Sequence, residues 1–267
     1  MRAVEVWVAG FRLKLFRMNT DLDVRVFSSR TELFPAAATE FARLAQEAIR
    51  SSGRFTVALS GGSTPKSLFK LLAGLPGGEI PWEHVYFFFG DERHVPPGDP
   101  ESNFRMANES LLSKIHARSG NVFRVQAELD AEVAAKNYED QLVKFFNLRP
   151  GEFSRFDLIM LGLGPDGHTA SLFPGSKGLG ETQRLVIANW VEKFNAFRIT
   201  FTYPVLNAAA CVMFMVTGAD KADAVRRVIE DKKQGPPAGG VAPTDGKLLW
   251  FLDRDAAVEL PAGMRDV

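Results

Sequence analysis

Asp166 and His168 stand two residues apart in Leu161-Gly162-Leu163-Gly164-Pro165-Asp166-Gly167-His168-Thr169-Ala170-Ser171, directly after the apolar run Phe156-Asp157-Leu158-Ile159-Met160. An imidazole that titrates near neutrality, with a carboxylate close enough to fix its tautomer, is equipped to act as a general base. Gly162, Gly164 and Gly167 let the backbone bring the two side chains into one small volume. The structural alternative is a histidine satisfied within a glycine-rich turn. A metal site asks for more than these residues supply: His84, His94 and His116 show no ligand spacing to His168, and Cys211 is the only cysteine.

A second group is Ser60-Gly61-Gly62-Ser63-Thr64-Pro65-Lys66, after the apolar run Phe55-Thr56-Val57-Ala58-Leu59. Gly61 and Gly62 allow a sharp turn and a close approach to a ligand, Ser63 and Thr64 supply hydroxyls, and Pro65 suits the first turn of a helix. Free backbone donors at such a helix start make an anion site. The spacing matches neither the Walker pattern nor the dinucleotide fingerprint, so no nucleotide is implied. A tight turn with a Ser/Thr cap accounts for the same residues, and Lys66 reads equally as a solvated lysine.

The aromatic run Phe87-Phe88-Phe89 ends in Gly90-Asp91-Glu92-Arg93-His94, where Arg93 offers a fixed fork of donors and Asp91 can orient a polyol. A solvated loop is the plainer reading. Ser102-Asn103 downstream reads as a helix N-cap. Two further cations are Arg198, in Phe197-Arg198-Ile199-Thr200-Phe201, and Lys221, in the first turn of an expected helix. A helix dipole disfavours a cation there unless an anion is close, so Lys221 reads as a phosphate partner; both also fit snorkelling surface cations.

These loops need elements to aim them. Short apolar runs at 24–27, 55–59, 84–89, 156–161, 185–188, 197–202, 211–216 and 248–252 alternate with helical patterns at 31–49, 65–73, 102–113, 130–146, 169–173, 204–209 and 219–230. Thr31 is placed to cap the first helix. The alternation predicts an α/β fold, a mostly parallel sheet flanked by helices on both faces. Gln234-Gly235-Pro236-Pro237-Ala238-Gly239-Gly240 reads as a loop.

With 32 basic and 32 acidic residues, 46% hydrophobic residues and no sign bias, the 267-residue chain has no mark of a nucleic-acid binder or a polybasic membrane surface. No apolar stretch nears the ~20 residues that span a bilayer. Cys211, in an apolar run, reads as a buried core thiol, and cysteine usage fits the cytoplasm. Residues 1–17 are expected to be an N-terminal extension, and 18–267 a single α/β domain.

Taken together, Ser60-Gly61-Gly62-Ser63-Thr64-Pro65, Gly90-Asp91-Glu92-Arg93, the segment Gly162–Ser171 and Tyr203-Pro204-Val205-Leu206-Asn207 resemble the 6-phosphogluconolactonases, in order over most of the chain. The resemblance implies a glucosamine-6-phosphate isomerase-like fold, a modified Rossmann-type arrangement, and a place in the oxidative pentose phosphate pathway. By the same likeness Gly61, Gly62, Ser63 and Thr64, with Arg198 and Lys221, would hold a 6-phosphate. His168 would be the general base with Asp166 as its orienting neighbour, and Arg93 and Asp91 would face a lactone ring.

The related deaminases carry a glutamate five residues after the histidine, and here that position is Phe173, which cannot exchange protons. Ester hydrolysis needs less, so the implied reaction is opening of 6-phospho-D-glucono-1,5-lactone. It is expected to proceed without metal or organic cofactor, in a monomer or weak homodimer, with no nucleic-acid or membrane partner. A sugar-phosphate isomerase or deaminase is the alternative within enzymes, and a non-catalytic sugar-phosphate sensor the alternative outside them.

Overall fold

The structure, a computed structural model, describes residues 3–8, 11–16, 21–230 and 235–265. Of the expected extension, β1 (Ala3–Val8) and β2 (Phe11–Phe16) pair with each other antiparallel. Gln234, the first residue of the expected 234–240 loop, lies outside the described residues.

The main chain path then runs β3 (Asp21–Phe27), α1 (Arg30–Ser52), β4 (Phe55–Leu59), α2 (Ser63–Ala73), β5 (Val85–Phe89), β6 (Asp91–Arg93), α3 (Asn103–Ala107), α4 (Ala131–Phe146), β7 (Leu158–Leu161), β8 (Val186–Val191), β9 (Ala196–Phe201), α5 (Tyr203–Ala208), β10 (Cys211–Val216), α6 (Ala222–Glu230), β11 (Lys247–Asp253) and α7 (Ala262–Arg265). Six of these strands form a parallel sheet in the order β3-β11-β10-β7-β4-β5. All residues of β4, β7 and β10 are buried, which is why they are written as near-continuous apolar runs, broken only by Thr56 in β4, rather than alternating ones. Chain order reverses where β7 inserts between β4 and β10, and a crevice at the carboxyl ends of such strands is where open α/β sheets bind ligands.

The strands expected at 185–188 and 197–202 do not join that sheet. As β8 and β9 they form an antiparallel hairpin, and β6 adds to β9 to complete a separate three-stranded sheet. Apolar runs of this length look alike in either setting, and only distant hydrogen-bond partners decide between them.

The helix expected at 169–173 is absent. Ser171 N–H donates to Thr200 Oγ1 (3.2 Å), Ser171 Oγ to Asp91 Oδ2 (2.7 Å) and Asn189 Nδ2 to the Ser171 carbonyl (2.8 Å), so the backbone is spent on the small sheet instead of on a helix. Thr31 is not the cap of α1: Ser29 holds that place, and its hydroxyl meets Thr31 Oγ1 at 2.6 Å. The helix expected over 102–113 begins as α3 and widens into a π turn at Asn108–Leu112. Pro237–Gly240, expected as loop, form one 3-10 turn. Cys211 is buried at the start of β10, and burial pushes its thiol up to about 12, as a core residue should behave.

Candidate active site

The chain leaves β4 through Gly61 and Gly62 into α2. Gly62 sits at φ 102°, a region that L side chains avoid, and a Cβ on Gly61 would lie 2.5 Å from Asn103 Cγ. Among the described residues no side chain caps α2, so its leading N–H groups remain available for an anion at the mouth of the bend. Thr64 Oγ1 lies 3.1 Å from Thr217 Oγ1 and ties this bend to the segment that follows β10.

Past β5 the chain enters the small sheet at β6. Glu92 is buried, and its carboxylate accepts from Arg93 N (2.8 Å), Asn103 N (2.7 Å), Phe104 N (2.8 Å) and Ser102 Oγ (3.1 Å). Burial raises its pKa against the pull of those backbone donors. Glu92 thus pins the start of α3 to β6. Ser102 is the expected N-cap, its Oγ accepting from Arg105 N at 3.1 Å. Asn103 does more than capping required, because its Nδ2 donates to the Asp91 carbonyl (2.9 Å) while its side chain fills the space left by Gly61.

The loop after β7 closes on itself, with Gly164 N–H donating to the His168 carbonyl and Gly167 N–H to the Gly164 carbonyl, each at 2.9 Å. That fold-back brings His168 Nδ1 to 2.5 Å from Asp166 Oδ1. Asp166 Oδ1 also accepts from the His168 backbone N–H at 3.2 Å, and Asp166 Oδ2 meets Lys193 Nζ at 3.3 Å. Burial would raise the Asp166 carboxyl, but His168 and Lys193 outweigh it and hold the group below its ordinary value. A carboxylate on Nδ1 favours the tautomer that leaves Nε2 unprotonated, the form a base requires. The His168 ring stacks on Phe173 with centroids 4.0 Å apart and planes 21° apart.

One cleft, with a volume of ≈ 270 Å³, collects the three bends: it is lined by Gly61, Gly62, Ser63 and Thr64, by Asp91 and Arg93, and by His168, with Lys221 on its wall. The Ser63 and His168 bends therefore share one small volume. A larger cavity of ≈ 880 Å³ borders the far side of Asp166, but neither His168 nor either glycine bend of the cleft lines it. We place the site in the smaller one, where the convergent polar groups are.

Three expected residues sit differently. Lys66 is exposed on α2 and is not part of the cleft wall. Lys221 is on the wall, yet its Nζ is already 2.7 Å from Asp220 Oδ2. Arg198 stands opposite Arg93 across the β6–β9 ladder, its guanidinium 5.1 Å from the Phe194 ring centroid. Burial and the charge of Arg93 lower its pKa. Like charges directly opposite on a ladder are destabilising, an arrangement that an anion would relieve.

The segment Tyr203–Asn207, noted in the sequence only as part of the family resemblance, is the support behind the His168 loop. Tyr203 OH donates to the Pro237 carbonyl (2.6 Å), and Asn207 Nδ2 to the Gly240 carbonyl (3.0 Å), while Asn207 Oδ1 accepts from Ala242 N–H (2.7 Å). The segment held in this way docks on the loop, Ala238 N–H donating to the Gly167 carbonyl at 2.9 Å. Among the described residues no group of three or more His, Cys, Asp or Glu is placed to hold a metal ion, and no helix is long and apolar enough to cross a membrane.

Comparison with known proteins finds a family model described as glucosamine-6-phosphate isomerases/6-phosphogluconolactonase matching residues 28–250. A 6-phosphogluconolactonase of Nostoc sp. is 40% identical over 240 residues, covering 89% of this chain and 98% of that protein. The chloroplastic 6-phosphogluconolactonase 3 of Arabidopsis thaliana is 40% identical over 244 residues, covering 89% of this chain and 75% of that one. Among solved structures, the 6-phosphogluconolactonase of Trypanosoma cruzi superposes with a TM-score of 0.82 at 29% identity, covering 93% of this chain and 100% of that chain.

Proposed function

The chain belongs to the glucosamine-6-phosphate isomerase/6-phosphogluconolactonase family, and from that premise we propose that it hydrolyses 6-phospho-D-glucono-1,5-lactone to 6-phospho-D-gluconate in the oxidative pentose phosphate pathway. The observation that carries this reading is the shared cleft, in which an uncapped helix start faces an Asp-buttressed imidazole across a space suited to one hexose.

In the proposed reaction, water attacks the C1 carbonyl and His168 Nε2 takes its proton, while Asp166 stabilises the imidazolium that forms. Arg93, held at the cleft wall by its Nη1 bond to the Glu101 carbonyl (2.7 Å), faces the oxyanion. Collapse of the tetrahedral intermediate breaks the bond from C1 to the ring oxygen, which leaves as an alcohol with the proton from His168. Gly61–Thr64 and Lys221 grip the 6-phosphate, with Arg198 adding positive field from behind Arg93, and that remote binding energy positions the reacting end. Asp91, fixed by Ser171 and Asn103, shapes the floor beside Arg93. We propose a cytoplasmic location, one of the reducing compartments that suit the free thiol of Cys211; the Arabidopsis relative is named as chloroplastic.

Phe173, packed against the imidazole, occupies the place where a deaminase would keep its second proton carrier. Lactone consumption coupled to oxidation of the 6-phosphogluconate formed, with and without chelator, tests the reading: turnover above the spontaneous rate in both is expected. Ammonia release from glucosamine 6-phosphate would overturn it.

Phosphate binding has its own test. Arg198→Ala and Lys221→Ala are each expected to weaken 6-phosphogluconate binding about tenfold, near 1.4 kcal/mol, with gluconate binding unchanged by calorimetry. If the unaltered protein binds gluconate and 6-phosphogluconate equally, there is no phosphate site.

A further inference from the structure

The tip of the β8–β9 hairpin reaches Asp166 directly and His168 by way of Phe173. Glu192–Phe194 form one 3-10 turn, and Asn195 at φ 46° returns the chain into β9. From this tip Lys193 Nζ lies 3.3 Å from Asp166 Oδ2, the carboxylate oxygen that His168 leaves unused. Phe194 stands edge-on to Phe173 with centroids 5.7 Å apart, and Phe173 carries the His168 ring. The Arg198 guanidinium lies on the Phe194 ring as well, so the tip is seated between the base and the small sheet.

Two donors from His168 itself hold Asp166 Oδ1, Nδ1 and the backbone N–H, so the orientation of the carboxylate does not depend on Lys193. Lys193 supplies charge instead. A bare carboxylate beside an imidazole stabilises the protonated ring, and a base that stays protonated cannot accept a proton from water. A cation on the far oxygen offsets part of that effect.

We propose that Lys193 acts on the reaction through Asp166, its ammonium offsetting the carboxylate charge felt by His168 and keeping the imidazole neutral to a lower pH than an unattended Asp–His pair would. Lys193 is a positioning residue in this scheme, since it touches neither water nor lactone, and the scheme rests on His168 being the base. Other charges also face the pair. Asp91 and Arg93 of β6 and Lys221 ahead of α6 line the cleft with His168. Glu132, Lys177, Glu181, Arg184 and Glu192 line the cavity on the far side of Asp166, and Asp223 and Arg227 of α6 line a groove beyond Pro165. Among the described residues the ion-pair partners of Asp166 are His168 and Lys193.

The test is an NMR titration of the His168 ring, assigned with His168→Gln, in the unaltered protein, Lys193→Met and Lys193→Arg, alongside kcat/KM against pH. Removing the charge in Lys193→Met is expected to raise the His168 midpoint by about half a pH unit at low ionic strength, as for a charge roughly 7 Å away in a water-like dielectric. The shift should shrink in salt, and Lys193→Arg should restore the original midpoint. The acid limb of kcat/KM should move with the ring. A midpoint that stays or falls in Lys193→Met overturns the role of Lys193 whatever the turnover. A midpoint that rises while the acid limb stays in place overturns His168 as the base instead.

Discussion

His168→Ala is expected to lower kcat by about 10²- to 10⁴-fold, the usual contribution of a general base. The ring is 24% exposed and packs on Phe173 at the cleft edge, away from the sheet core, so the variant should unfold at nearly the temperature of the parent. KM should change little, since the phosphate grip lies at the other end of the cleft. Initial rates must be corrected for spontaneous lactone opening, because a small residual signal would otherwise be read as retained catalysis. Turnover equal to the parent after that correction would remove His168 from the mechanism. Asp166→Asn should fall between the two, since the amide keeps the shape but gives up the charge that favours the imidazolium.

Gly164→Ala is expected to cost about 100-fold in kcat without removing any reacting group. A Cβ at this position would overlap His168 Nδ1 and lie 2.8 Å from Asp166 Oδ1. The backbone cannot give way easily, because Gly164 both donates to the His168 carbonyl and accepts from Gly167 N–H. The ring must therefore swing out of line, and a misplacement of about 1 Å carries a penalty of this order. The measurement is kcat with KM for the same substrate, checked by the chemical shift of the His168 ring. A variant with parental kcat would mean that the imidazole tolerates a different pose.

Much of this site is written in residue type. Gly61, Gly62 and Gly164 are glycines for steric reasons that a sequence displays, and Asp166 and His168 are close in the chain as well as in space. Phe173 was legible as a missing carboxylate, but not as the surface on which the imidazole lies. Lys193 was invisible: it is a lysine at a hairpin tip, 57% exposed, with no local pattern to separate it from any solvated lysine. Lys66 shows the converse, a lysine inside a recognisable motif that faces solvent.

The fold divides in the same way. Central strands such as β4 and β10 were readable because burial on both faces leaves them almost wholly apolar, Thr56 of β4 being the exception and pairing with Asp157. The fate of 169–173 was not, because Thr169-Ala170-Ser171-Leu172-Phe173 has an acceptable helical composition and is diverted by Thr200, Asp91 and Asn189, which are remote in sequence.

The bracket behind the His168 loop has an evolutionary corollary. A side chain on Gly240 would strike Tyr203 at 2.6 Å from Cζ, and one on Gly167 would strike Pro236 at 2.6 Å from Cγ. Positions that never meet a sugar thereby acquire the mutational intolerance of those that do, and in a saturation library Gly167, Tyr203, Asn207 and Gly240 should be purged as one block with the dyad.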